Sequence, residues 1–316
     1  MKLLRMSEID RLMSQLEDIK LKNFDPIAAV GVVPEPIDFA ETIMGSKMDV
    51  WQGAYMTHAP TEARIGIAAS RQSGKSTVTA LFVAHCLVFI PNFECLVASR
   101  SLRQASHYLN KVRDAVLSII PRESMRQLNR LSMELPNGST IVSIPCAQPD
   151  AGRGFSPHLV ILDEAAFAPE ELFRAITPSL AATQGALHML SSPNGRQGYF
   201  FEAFEGNAKD VFWNQRVHWK DCPRITQEVA DMERIALGDL YFRQEFCAEF
   251  VTPLGAFFGN SAVLQFEERE AEELGDLELA DLDALADEMY PEAEADVEDL
   301  REAMSRTDRV SELLYG

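Results

Sequence analysis

Short apolar runs alternate with longer stretches of helical periodicity through the middle of this 316-residue chain. Four consecutive apolar residues at 159–162 are typical of a strand covered on both faces, as in a parallel sheet. The pattern predicts an α/β fold in which a mostly parallel sheet carries helices on both faces. The strands are expected at 65–68, 95–99, 159–162 and 186–190, and the helices between them at 78–89 and 102–119.

A hairpin and a less regular region extend this sheet. Apolar and polar residues alternate from 131 to 135, and Asn137-Gly138 supplies a turn of positive φ before the return strand at 140–144. A small lid is expected around residues 199–250. Within and after it, 239–246 predicts a helix and 247–258 a bent strand.

The chain ends differ from this middle part. Residues 1–22 predict an amphipathic helix, and prolines at 26, 34 and 36 indicate an extended linker over 23–38. Of the net charge of −19, residues 261–316 contribute −15, from 19 acidic and 4 basic residues. Such acidity favours disorder or folding on a partner. We therefore divide the chain into an N-terminal helix and linker (1–44), a globular domain (45–260) and an acidic tail (261–316).

Composition excludes several classes of protein. The sequence has no run of 18 apolar residues and no signal-peptide core, so neither a membrane span nor secretion is expected. The five cysteines are scattered without a C-x-x-C pair, which predicts reduced thiols rather than disulfides or a zinc site.

The stretch from Ala69 to Thr77 predicts a phosphate-binding loop, since a strand precedes it and a helix follows. Its backbone N–H groups and the helix N-terminus would surround a nucleotide phosphate. Lys75 would reach the β- and γ-phosphates, and the Ser76 hydroxyl would bind Mg²⁺. The phosphate-loop motif has glycine at the position of Ala69, and alanine suits the turn only if its φ is negative. The alternative is a plain turn without nucleotide. The expected nucleotide-binding residues of the loop are Ser70, Arg71, Gln72, Ser73, Gly74, Lys75, Ser76 and Thr77.

Two carboxylates follow the apolar run at 159–162, where open α/β sheets place their ligands. Asp163 would hold Mg²⁺, and Glu164 would act as general base toward the attacking water. The alternative, an acidic helix N-cap, explains the pair alone but not its order after a phosphate loop. Ser191 and Ser192 end the next apolar run and could sense the γ-phosphate, or form an ordinary turn.

A few residues outside these motifs are candidates for contacts with nucleotide. The Gln52 amide can donate to and accept from an adenine edge, although the neighbouring Trp51 and Tyr55 are more typical of a core. Arg100 and Arg103 follow a strand and could contact phosphate or a neighbouring subunit, or be solvated. Arg153 is a single cation between two glycines.

The order of these motifs resembles the ATPase half of the large terminase subunit of tailed bacteriophages, over roughly residues 45–258. The Ser-Arg-Gln-x-Gly-Lys-Ser loop and the strand end Asp-Glu-Ala-x-Phe carry the likeness. The resemblance implies a P-loop NTPase of the RecA/ASCE type. It implies an ATP- and Mg²⁺-dependent motor that threads double-stranded DNA into a procapsid. Gln52 would contact adenine, Arg71 would stabilise transition-state charge in cis, and Ser191 and Ser192 would couple hydrolysis to movement. The alternative to Arg71 is a charge donated across a subunit boundary by Arg153, or by Arg100 and Arg103.

The resemblance also implies partners: double-stranded DNA, a homo-oligomeric ring of this chain, the portal protein and the small terminase subunit, in the host cytoplasm on the procapsid. The family's nuclease domain holds two metals, and the acidic tail lacks the alternating strands that such a fold needs. We therefore predict no DNA cleavage by this chain, the nuclease being a separate chain, truncated or lost. Two rival classes are a helicase-like ATPase and a regulatory protein that binds ATP without hydrolysing it.

Overall fold

The computed structural model describes residues 33–45, 47–147 and 154–251. The helix expected at 1–22, Arg153 and the acidic tail lie outside these residues. The strands are β1 Arg64–Ala69, β2 Glu94–Ser99, β3 Gln127–Leu128, β4 Ser132–Glu134, β5 Thr140–Pro145, β6 Leu159–Asp163, β7 Ala186–Ser191 and β8 Trp213–Val217. The α-helices are α1 Pro36–Met44, α2 Val50–His58, α3 Lys75–Phe89, α4 Leu102–Leu117, α5 Glu170–Thr183, α6 Gly198–Phe204 and α7 Gln227–Glu245.

One eight-stranded sheet joins these strands in the order β3-β4-β5-β2-β6-β7-β1-β8. The six strands from β5 to β8 are parallel, while β3 and β4 are antiparallel additions at one edge. Strand β7 lies between β1 and β6, with Ala68 opposite Ser191 on one side and Asp163 opposite Leu190 on the other. The ends of β1, β7 and β6 therefore meet at one edge of the sheet.

Successive strand residues alternate between two buried cores, one on each face of the sheet. In β1, Ile65 and Ile67 pack into the larger core with helices α1 to α4, whereas Ala68 packs into the other core with α5 and α6. Burial on both faces explains why these strands read as continuous apolar runs. Helix α3 is buried almost all round, because α1, α2 and α4 cover it on the outer side.

The mostly parallel sheet with helices on both faces confirms the fold class predicted from the sequence. The predicted hairpin is β4–β5, and its turn places Gly138 at φ +84°. The five cysteines are free and buried. Among the described helices, none combines the length and apolar character needed to cross a membrane.

Three expectations need correction. The extended linker does not reach residue 38, because α1 begins at Pro36, and proline suits the first turn of a helix. Residues 247–251 do not form a strand: Ala248 has φ +53°, which interrupts an extended backbone. The region 199–250 also supplies β8, a sheet strand that the sequence did not suggest.

Candidate active site

The phosphate-loop segment connects β1 directly to α3. Ala69 is the last residue of β1 and is buried beside Val217 of β8. It is absent from the described residues with positive φ, so the alanine in place of glycine simply extends the strand. The left-handed turn occurs later, at Gln72 (φ +56°) and Gly74 (φ +89°), which is the N-cap of α3.

Contacts from two other segments fix this loop. The Ser70 backbone N–H donates to the Val217 carbonyl at 2.9 Å, and the Arg71 N–H donates to the Glu245 carbonyl at 2.8 Å. The first N–H groups of α3 have no intrahelical acceptor, and the helix dipole adds positive potential at the same end. The Ser73 hydroxyl is buried and has no hydrogen-bond partner among the described residues. The loop therefore offers unpaired donors where an anion would bind.

Side chains from the loop, β6 and β7 converge beside it. The Ser76 hydroxyl donates to the Asp163 carboxylate, at 3.0 Å from Oδ1 and 3.2 Å from Oδ2. The Lys75 ammonium lies 3.3 Å from Glu164 Oε1, and the Ser191 hydroxyl donates to Glu164 Oε2 at 3.1 Å. The strand order explains this cluster, since β7 brings Ser191 between the phosphate loop and the end of β6.

Glu164 has an unusual backbone conformation for a carboxylate residue. Its φ of 59° and ψ of 45° are left-handed, which costs a non-glycine residue about 1 kcal/mol or more. This turn ends β6 and begins the short 3₁₀ helix Ala165–Phe167. Backbone strain of this kind concentrates at functional sites.

Burial dominates the electrostatics of Asp163. It raises the pKa of this carboxyl to about 6, and the neighbouring Glu164 acts in the same direction. Lys75, the Ser76 hydroxyl and Lys111 oppose this rise in the pKa. Lys111, on α4, has a pKa lowered first by its own burial, with Asp163 acting in the opposite direction. The site is thus a cluster of two acids and two lysines, of which Asp163 and Lys75 are buried, that a polyanion and a divalent cation would complete.

The residues fit ATP and Mg²⁺ by their donor chemistry. Mg²⁺ prefers oxygen ligands and is usually held by one or two carboxylates together with substrate phosphates. Asp163 and Ser76 supply a carboxylate and a hydroxyl oxygen in mutual contact. Within the described ranges no group of three or more His, Cys, Asp and Glu could hold a metal alone. A cation here would therefore take its remaining ligands from water or phosphate oxygens.

A cavity of about 230 Å³ opens beside the loop, next to this cluster. Gln52, Gly74 and Thr77 line it, together with the apolar side chains of Met48 and Leu81. Gln52 lies on α2, and its Oε1 accepts from the Asp49 backbone N–H at 3.0 Å. The structure thus places Gln52 in a pocket next to the phosphate loop. Trp51 and Tyr55, on the same helix, are buried in the core.

The candidate arginines occupy different environments. Arg71 pairs with Glu245 at 2.7 Å, although its side chain is 64% exposed. The Arg100 guanidinium lies 4.5 Å from the centre of the Phe167 ring, just beyond Glu164, and Arg103 is exposed on the first turn of α4. Arg153 is outside the described residues. Ser192 is buried beside Ser191.

Sequence reasoning missed three polar residues near the site: Lys111, Asp49 and Arg224. Asp49 could have been found, because Asp-x-x-Gln before a helix is a capping-box pattern, and the Asp49 backbone N–H donates to the Gln52 side chain. Arg224 bonds to Asp49 from 175 residues away, and no local pattern marks it. Lys111 is likewise an isolated lysine on an amphipathic helix.

Comparison with known proteins decides the family. The family described as terminase large subunit, T4likevirus-type, N-terminal, matches residues 67–277. The chain belongs to the terminase large-subunit family. The terminase large subunit of Escherichia phage T5 is 28% identical over 199 residues, which is 60% of this chain and 44% of that protein. The chain therefore matches less than half the length of that relative.

Solved terminase structures share the fold. The large terminase ATPase domain of Thermus phage P74-26 superposes with a TM-score of 0.59 and 26% identity, covering 69% of this chain and 99% of that domain. The large terminase of another thermophilic bacteriophage, solved in complex with ADP, matches with a TM-score of 0.51 and 13% identity over 61% of this chain and 49% of that one. At that identity the likeness to the ADP-bound terminase concerns the fold alone.

Proposed function

We propose that this chain is the ATP-hydrolysing motor subunit that drives double-stranded DNA into a viral procapsid. The single observation that carries the proposal is the convergence of Lys75, Ser76, Asp163 and Glu164 at one edge of the sheet. These four residues come from two segments nearly ninety residues apart in sequence. Membership of the terminase family and the fold shared with the large terminase ATPase domain of Thermus phage P74-26 support this proposal.

Lys75 and the N-terminus of α3 bind the β- and γ-phosphates of ATP in this proposal. In the structure the Lys75 ammonium is paired with Glu164. A γ-phosphate carries more negative charge than one carboxylate, so it competes for Lys75 and releases Glu164. Ser76 and Asp163 would hold Mg²⁺, which neutralises phosphate charge when bound.

Glu164 acts as the general base. It orients a water molecule for in-line attack on the γ-phosphorus and accepts the proton that the water loses, while ADP leaves with the bridging oxygen. The Ser191 hydroxyl holds one carboxylate oxygen of Glu164. Ser191 lies at the end of β7, and Ser192 follows it in the chain. A shift of Glu164 when the γ-phosphate leaves would therefore move the end of this strand. This contact supports the coupling role proposed for Ser191 and Ser192.

Gln52 contacts the adenine edge in the cavity beside the loop, and Arg71 stabilises transition-state charge in cis. Arg71 must first leave Glu245, its partner here. Arg100, Arg103 and Arg153 remain the candidates for a charge donated across a subunit boundary. Arg100 directly follows the last residue of β2, and β2 is a neighbour of β6 in the sheet.

The proposed partners are double-stranded DNA, further copies of this chain in a ring, the portal protein and the small terminase subunit. The proposed place of action is the host cytoplasm, at the procapsid. The expectation that this chain does not cut DNA stays a prediction, because residues 252–316 lie outside the described part and the chain matches only part of its relatives' length.

The experiment that tests this function is DNA packaging in a defined system. Purified chain, portal-bearing procapsids, small terminase subunit and linear duplex DNA are mixed with ATP and Mg²⁺, and nuclease-protected DNA is measured. We expect protection with wild type and none with Lys75→Ala. ATP turnover without protected DNA, accompanied by displacement of a strand from a forked duplex, would favour a helicase instead.

A further inference from the structure

Arg224 joins three segments around the cavity beside the phosphate loop. Its guanidinium forms two parallel hydrogen bonds to Asp49, at 3.1 Å and 2.6 Å. The same group donates to the Ser73 carbonyl of the phosphate loop at 2.9 Å. Arg224 follows the 3₁₀ helix Trp219–Asp221 and precedes α7. It therefore ties the segment leading into α7 both to the loop and to the start of α2.

The Arg224–Asp49 pair is stronger than an ordinary surface ion pair. The Asp49 side chain is 7% exposed, whereas that of Arg224 is 52% exposed. A buried carboxylate needs a cation and hydrogen bonds to replace lost water, and Arg224 supplies both in bidentate geometry. Lysine cannot reproduce two parallel bonds to one carboxylate.

Asp49 in turn fixes Gln52. Asp49 is the N-cap of α2, and its backbone N–H donates to Gln52 Oε1 at 3.0 Å. The Gln52 amide nitrogen then lies directly against the phosphate loop. A Cβ placed on Gly74 would come within 2.9 Å of Gln52 Nε2 and 3.6 Å of Arg224 Nη2. The two side chains thus converge at the same point of the cavity wall.

We propose that Arg224 is a positioning residue for the base of the bound nucleotide. Through Asp49 it sets the orientation of Gln52, and its own planar guanidinium forms part of the wall against which a purine lies. This inference rests on the proposed function, because it concerns the same nucleotide site. It assigns base recognition to a residue far from the loop in sequence and gives the α7 segment a direct contact with the base pocket.

Kinetic measurements distinguish a role of Arg224 at the base of the nucleotide from a role at its phosphates. Arg224→Gln is expected to raise KM for ATP about tenfold, which corresponds to about 1.4 kcal/mol, with kcat changed by less than about twofold. The Ki of inorganic tripolyphosphate, which has no base or ribose, is expected to stay at the wild-type value. The preference for ATP over GTP is expected to fall, because Gln52 loses its fixed orientation.

Three further variants and one control sharpen the test. Asp49→Asn keeps an N-cap side chain but loses the charge, and it is expected to reproduce the KM effect. The double variant Asp49→Asn with Arg224→Gln is expected to have no higher KM than either single variant, since both substitutions remove the same ion pair. Arg224→Lys keeps the charge and is expected to raise KM nearly as much as Arg224→Gln. Arg174→Gln, which removes an exposed arginine paired with Glu170, is the matched control and should behave as wild type.

Melting temperatures of the variants, measured without nucleotide, identify any that fail to fold. If Arg224→Gln fails to fold, KM and Ki are measured on Arg224→Lys instead. An unchanged KM in folded Arg224→Gln and Arg224→Lys would overturn the inference while leaving the proposed ATPase intact. A parallel rise in the Ki of tripolyphosphate would also overturn it, by showing that Arg224 acts on the phosphates. Wild type that neither binds nor hydrolyses ATP would overturn the proposed function, and this inference with it.

Discussion

At the scale of single residues, the carboxylate of Glu164, the proposed general base, is held by several contacts. Its left-handed backbone, its pairing with Lys75 and its hydrogen bond from Ser191 all fix one carboxylate at the end of β6. A general base must be held in position before its pKa matters. The structure therefore gives Ser191 a specific task, which is to hold Glu164.

Ser191→Ala tests that task. Loss of one hydrogen bond to a charged group costs about 1.5–3 kcal/mol, so we expect kcat for ATP hydrolysis to fall at least tenfold while KM stays near the wild-type value. Ser143→Ala is the matched control, because Ser143 is also a buried strand serine and donates to the Ala105 carbonyl. Steady-state kinetics measure both variants. Equal kcat for wild type and Ser191→Ala would show that Glu164 does not depend on this bond.

At the scale of elements, β1 must pack tightly against its surroundings to hold the phosphate loop. Gly66, in the middle of β1, faces Asn214 of β8 and Phe204 of α6: a Cβ there would lie 2.2 Å from Asn214 Oδ1 and 3.3 Å from the Phe204 ring. The Asn214 amide nitrogen donates to the Ala203 carbonyl, so this side chain cannot move aside freely. Close approach of β8 and α6 thus requires glycine at this position.

Alanine substitutions at Gly66 and at Gly53, which has more space around it, test this packing through the free energy of unfolding. Gly66→Ala is expected to lower the free energy of unfolding by about 1–3 kcal/mol, the usual cost of overpacking. Gly53→Ala, in helix α2, would meet only Ile37 Cδ1 at 3.5 Å and is expected to stabilise by about 0.5–1 kcal/mol. Urea unfolding measures both. Equal stability of the two variants would contradict the described packing of β1.

Burial of His85, where α3 meets the segment before α1, should make stability depend on pH. His85 of α3 is buried with its Nε2 2.8 Å from the Pro34 carbonyl, and burial lowers its pKa from 6.5 to about 4. The unfolded chain therefore binds more protons than the folded chain between these values. Stability from this group is complete above about pH 6.5 and is lost as pH falls toward 4.

His85→Gln removes this titration and keeps an amide able to donate to Pro34. We expect its stability to fall less than that of wild type between pH 6.5 and pH 4, by about 3 kcal/mol in the difference of the two curves. His58→Gln is the control, since the His58 side chain is 42% exposed. Parallel curves for wild type and His85→Gln would mean that His85 is not buried as a neutral ring.

At the scale of the whole molecule, the sequence predicted the features that depend on local pattern. The phosphate loop was recognisable from its Gly-Lys-Ser motif, and the buried strands from their continuous apolar runs. The Asp163–Glu164 pair was recognisable because it directly follows one of these runs. Strand β8 was not predicted, because only Val217 is buried in it and its polar residues hide the period. The Arg224–Asp49 contact was not predicted either, since it depends on how distant segments pack.

The charge distribution also belongs to this scale. The acidity lies mostly in residues 261–316, so the part of the chain that holds the site is nearly neutral. Within the site, however, two lysines and a helix N-terminus surround the acids, which gives a local field suited to a magnesium-bound triphosphate. Local arrangement rather than net charge therefore supports nucleotide binding.

In the proposed function, Lys75, Ser76, Asp163 and Glu164 form one ATP-hydrolysing centre with Glu164 as its base. The most direct measurement is ATP binding and ATP turnover by Glu164→Gln, beside wild type and the exposed control Glu170→Gln. We expect Glu164→Gln to bind ATP at least as tightly as wild type, because Lys75 loses a competing partner, and to turn it over at least about a hundredfold more slowly. Turnover equal to wild type, or binding lost together with turnover, would contradict the account.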